Sequence, residues 1–129
     1  MVKRIIIVCI ISTLLIGLGT YEVVMVKKIN KDLLENVNSL HHMTIEHKDN
    51  LSIILPKVDS IKSDWDQVEP TLCLMFNHKD LSSITDTLAM YRAFVYNNDY
   101  DNAIAEISLL KEYAEKNDHV MGFNLQNLL

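Results

Sequence analysis

Glycine and proline are scarce in this chain, with 3 and 2 residues among 129. Strand hairpins lean on glycine where φ must be positive, and no short alternating piece here is bounded by such a turn signal. That excludes a sheet protein and leaves helices joined by short polar turns. Cysteine is scarce too. Cys9 lies in the first apolar stretch and Cys73 far outside it, so no intramolecular disulfide staples the fold, which suits either side of a membrane. Cys73, in Leu72-Cys73-Leu74-Met75-Phe76, reads as an inert packing thiol. Basic residues are the minority, 12 against 17 acidic, and from Lys27 onward 10 basic face 16 acidic residues, a net of −6. Such a surface disfavours nucleic acid, whose phosphates select basic faces. There is no Gly-rich phosphate loop and no Ser or Cys in a nucleophile motif. The expectation is a protein that is not an enzyme, with no cofactor and no metal centre.

Apolar sequence is what the chain has in quantity at its start. Ile5 to Tyr21 is 17 residues without a charge. Lys3 and Arg4 precede it. Glu22 interrupts, Val23 to Val26 extend it, and Lys27, Lys28 and Lys31 come after. A bilayer core about 30 Å thick asks for about 20 residues of helix. Residues 1–28 therefore read as a transmembrane anchor with basic flanks, with Ile5, Ile11, Leu15, Leu18 and Tyr21 in the lipid bilayer. A cleaved signal peptide is the rival. Gly17-Leu18-Gly19 offers small residues two apart, but not of the Ala-x-Ala type, and apolar residues resume at Val23. Basic residues on both sides nearly cancel the charge bias that sets orientation. The very short N-terminus favours a cytoplasmic start and an extracytoplasmic domain over residues 29–129.

That domain is patterned for helix. Leu33, Val37, Leu40, Thr44, His47, Leu51, Ile54, Val58, Ile61, Trp65, Val68 and Leu72 recur at steps of four and three, the heptad rhythm. The wholly polar Glu46-His47-Lys48-Asp49-Asn50 marks a turn, with Asp49 or Asn50 able to cap a second helix. Pro56 either kinks that helix or sits in the first turn of one starting near Leu55. Asn77-His78-Lys79-Asp80 is the next turn, with Asp80 a plausible cap for a helix carrying Leu81, Ile84, Leu88, Tyr91 and Val95 on one face. Asn97-Asn98-Asp99 ends it. Asp99 or Asp101 opens the last helix, with Ala103, Ile107, Leu110 and Ala114 inward and Asn117-Asp118 as its close. The apolar tail 120–129 is expected to dock on the bundle. An echo between Asp49-Asn50-Leu51 and Asp101-Asn102-Ala103 points to two helical hairpins. The fold expected is all-α: a transmembrane helix, then a bundle of about four helices. Asn98 to Ile104 looks like one junction of a tetratricopeptide repeat, but the rest of that repeat is missing.

Few residues invite a chemical role. His42, Glu46 and Asp49 have metal-ligand spacing on a continuous helix, yet they fall where that helix should end. His78 reads as a turn residue. Asp64, Asp66 and Glu69 surround Trp65, as acid and base do in sugar-cleaving sites. On a helix, however, Asp64 and Asp66 point about 160° apart, so a packed Trp with solvated acidic neighbours is favoured.

The whole pattern resembles a family of small single-span membrane proteins of Gram-positive bacteria, catalogued as a domain of unknown function. The likeness rests on Lys3-Arg4 before an Ile-rich span ending in Tyr21-Glu22, and on Trp65 in the second helix. It extends to His78 with Leu81 and Ile84, the start at Asp99 to Ala103, and the closing Leu125-Gln126-Asn127-Leu128-Leu129. Leu128 stands where the family tends to have Ile, and Asn50 where an aromatic is expected. The resemblance implies an anchored helical fold and companionship with larger multi-span membrane proteins. It implies no activity. The functional expectation is an accessory module that binds a multi-span membrane protein or itself, with Tyr91, Tyr96, Tyr100 and Phe123 as contact residues. The alternative is an extracytoplasmic sensor that holds a small molecule between helices.

Overall fold

A computed structural model describes residues 1–126, with side chains through His119. It contains α1 (Val2–Glu46), a 3₁₀ turn (Leu51–Ile54), α2 (Leu55–Leu72), α3 (His78–Tyr96) and α4 (Tyr100–Gln126), and no strand among the described residues. α1 is one unbroken 45-residue helix. The apolar segment passes into the domain without a linker. Its buried side begins at Val26 and continues through Asn30, Leu33, Val37, Leu40 and Thr44. These alternate by four and three, so one stripe faces the bundle along the whole lower part of the helix. Val26 lies inside the segment assigned to the anchor, so core packing starts before residue 29. His47, placed on the stripe by periodicity, is exposed and ends the helix, its amide bonded to the Met43 carbonyl at 3.0 Å.

The second helix takes the later of its two possible starts. Pro56 stands in the first turn of α2, where an amide would have no helical partner anyway. Pro70 is inside α2 but only two residues from its end. Proline has no amide to offer the Asp66 carbonyl four residues back, and Asp66 is exposed. Two caps differ from expectation. Asn50 takes a hydrogen bond from the Ser52 hydroxyl and not from a backbone amide. Asn77, not Asp80, caps α3, its Oδ1 accepting from the Lys79 amide at 3.0 Å; Asp80 instead sits in the first turn, where a negative charge suits the helix dipole.

The α3–α4 turn closes tightly. Asn98 adopts φ 54°, which asparagine tolerates better than most residues. The Asp99 amide reaches back to the Phe94 carbonyl and the Asn98 amide to that of Val95, the paired bonds of a Schellman ending. Asp99 then caps α4, accepting from the Asn102 amide at 3.3 Å and the Asn102 side chain at 2.7 Å. α4 does not close at Asn117-Asp118. It runs to Gln126, and Asn117 within it is buried and donates to Asn30 of α1 at 3.3 Å.

Consecutive helices are antiparallel, giving two hairpins that close into one bundle. Trp65 meets Thr85, Asp59 meets Arg92, Lys57 meets Asn36 and Asn117 meets Asn30. The core runs from Val26 to Ala114 and includes Leu40, Ile54, Trp65, Leu72, Leu88, Tyr91, Ile107 and Leu110. α4 packs extensively on both α1 and α3, so the first and last helices are neighbours.

Candidate functional site

The geometry draws attention to the end of the bundle nearest the apolar segment. Counting along α2 from the Lys57–Asn36 bond, Leu72 lies about level with residues 21–25 of α1. From Asn117, nine residues of α4 remain, about 13 Å at 1.5 Å each. Nine residues also separate Asn30 from Tyr21. The ends of α2 and α4 therefore stop near Tyr21, the last residue of the uncharged stretch of α1. The turn beyond α2 carries Leu74, 87% exposed, and the exposed Met75. Ile5, Ile11, Leu15, Leu18 and Tyr21 are all between 51% and 67% exposed. α1 is the one helix among the described residues long and apolar enough to cross a membrane. That segment is not buried in the bundle, unlike the core helix of a soluble protein.

The four aromatic contact candidates do not form one surface. Tyr91 is fully buried, so it is removed from the contact set. Its hydroxyl pairs with that of Thr44, which also donates to the Leu40 carbonyl at 2.8 Å. Thr44 thus sits on the apolar stripe because it has a polar partner across the core. Burial pushes the Tyr91 hydroxyl up to about 12, with the Thr44 bond acting the other way. The neutral form is favoured in the fold. Its contribution is intact below the ordinary tyrosine value near 10 and is lost as pH rises toward about 12. Tyr91→Phe is expected to cost about 1 kcal/mol at neutral pH and to flatten the alkaline fall in stability. Urea unfolding across pH 9–12 would show both. Tyr96 is 68% exposed at the far end of α3. Tyr100 packs partly against the core nearby. Phe123 lies outside the residues whose side chains are described.

Two open grooves flank the bundle among the described residues. One, about 270 Å³ between α1 and α2, is lined by Ile29, Asp32, Asn36, Asp64, Trp65 and Val68, among others. The other, about 440 Å³ between α3 and α4, has Lys79, Asp80, Ser83, Tyr113, Lys116 and Asn117 in its walls. Trp65 is packed as expected, donating through Nε1 to Thr85 Oγ1 at 2.8 Å. Asp66 is occupied by Lys62 at 2.7 Å. Across the α2–α3 face, Arg92 binds Asp59 and holds its carboxyl below the usual range, while Asp59 raises the guanidinium. The His42–Glu46–Asp49 set is not assembled on one helix face. His42 Nδ1 meets Glu46 at 3.2 Å on the surface, and Asp49 lies beyond the helix end.

A set that sequence spacing does not single out converges in space. Ligand atoms of Glu69, Cys73 and His78 lie within 4.8 Å of one another at the α2–α3 turn. Cys73 Sγ stands 3.2 Å from His78 Nδ1. Glu69 and Cys73, the C-cap of α2, are four apart, a visible signal. His78 belongs to the next helix, which hides the third member.

The model for a family described as "Domain of unknown function (DUF4363)" matches residues 20–128. Lys3, Arg4 and most of the apolar segment lie before that match. Comparison with curated proteins gave no match, and comparison with solved structures gave none. The matched span takes in the bundle portion of α1 and all of α2, α3 and α4, and on that coverage the chain belongs to the DUF4363 family, whose defining domain has no assigned function.

Proposed function

We propose that this protein is a non-enzymatic, membrane-anchored accessory module, single-pass, with its N-terminus cytoplasmic and its bundle standing on the outer face of a bacterial membrane. The observation that carries the reading is the continuity of α1. An exposed, uncharged surface runs without a linker into a buried heptad stripe. A flexible tether would let the domain wander. A continuous helix fixes its height and tilt above the lipid, which serves a unit that must meet a neighbour in one orientation. Leu74 and Met75 at the base, and Lys27 and Lys28 on α1, suit the apolar and headgroup layers respectively.

The partner is a multi-span membrane protein, or a second copy of this chain. Gly17 and Gly19 have open space where a side chain would stand, and small residues let a neighbouring helix approach closely in lipid. Tyr96 and Tyr100 offer a second contact at the far end. The test places a photo-crosslinking residue at Leu18 or at Tyr96 of the full chain in native membranes. A discrete crosslinked band of a membrane protein or a dimer from either position is the expected result. A monomer from both positions would defeat the accessory reading.

A further inference from the structure

We propose that Glu69, Cys73 and His78 form a zinc-type metal site at the base of the bundle. Glu69 comes from the last turn of α2, Cys73 from its C-cap and His78 from the start of α3, and they meet across the turn 73–77. Cys73 Sγ and His78 Nδ1 are 3.2 Å apart, and all three ligand atoms fall within 4.8 Å of one another. Metal–ligand distances of about 2.0–2.3 Å bring tetrahedral donor atoms to separations of this order. The donor set is thiolate, imidazole and carboxylate. That mixture suits zinc and, in the laboratory, cobalt, and is poor for magnesium or calcium, which take oxygen.

The local fold favours the arrangement. Glu69 lies in the last turn of α2 and Cys73 is its C-cap, the Cys73 amide bonded to the Glu69 carbonyl at 2.9 Å. The Asn77 cap sets the entry of α3 and so the position of His78, its first residue. Glu69 forms no salt bridge among the described residues. Glu69 and Cys73 are half-buried and His78 is exposed, so an ion has a route in. Three protein donors leave the fourth position to water or to an anion. The ion would tie α2 to α3 close to the level where α1 leaves its apolar segment, and binding releases the thiol proton.

The test uses the untagged full chain in detergent micelles, titrated with Co²⁺ and then Zn²⁺. One Co²⁺ per chain is expected, with thiolate-to-cobalt charge-transfer absorption that Zn²⁺ displaces. Cys73→Ser should abolish that absorption although Cys9 remains. Glu69→Gln and His78→Gln, at accessible positions that leave helix content unchanged, should each weaken Co²⁺ binding on the order of tenfold or more. Absence of charge transfer, its persistence in Cys73→Ser, or unchanged affinity in both other variants would overturn the assignment.

Discussion

Ile11→Lys combined with Leu15→Lys is expected to release the protein from the membrane fraction. The two residues lie near the middle of the uncharged stretch, and both are exposed on α1. Each lysine at the centre of a spanning helix costs about 2.5–3.5 kcal/mol, and the apolar contribution of the residue it replaces is lost as well. Together that is about 6–8 kcal/mol, while no core contact changes, because the buried stripe begins only at Val26. Alkaline washing of membranes, then quantification of pellet and supernatant, is the check. Release with the bundle still helical supports an anchor separable from the fold. A double variant that pellets like the parent would mean that lipid is not what holds this segment.

Trp65→Ala should bring the largest loss of fold stability from a single truncation. The side chain is 2% exposed, it forms one wall of the α1–α2 groove, and its Nε1 hydrogen bond ties α2 to Thr85 of α3. Emptying that volume costs about 3–5 kcal/mol, against a total of about 5–15 kcal/mol for a whole domain. Trp65→Phe keeps most of the volume and loses the hydrogen bond, an effect of about 1–2 kcal/mol. Amide hydrogen exchange of α2 and α3 in the full chain reads both variants, with exchange faster in the order alanine, phenylalanine, parent. Equal exchange in all three would show that Trp65 is not the joint between these helices.

Much of the core is legible in the sequence because helical period is a local property of the chain. Leu33, Val37 and Leu40 on α1, Val58, Ile61 and Trp65 on α2, and Ala103, Ile107 and Leu110 on α4 are placed inward by spacing and are buried. Partnership between distant helices is not legible. Asn117 resembles a helix stop because asparagine and aspartate often end helices. It is instead the buried partner of Asn30, 87 residues away, and such a polar pair inside an apolar stripe fixes the register of two helices. Thr44 weakens the heptad pattern for the same reason, since the Tyr91 hydroxyl that satisfies it lies on α3. Tyr91 in turn suggests a contact residue as long as its partner is out of view. The Glu69–Cys73–His78 set is hidden because one member comes from the far side of a turn. In each case the reason for a polar residue lies in a neighbour that spacing along the chain does not show.

Intact mass of the protein recovered from washed membranes is the most direct test of the uncleaved, lipid-lodged first helix. A membrane-bound species that retains residues 1–20 is the expected result. A soluble species beginning near Thr20 would contradict it, and with it the continuous helix that sets the bundle against the bilayer.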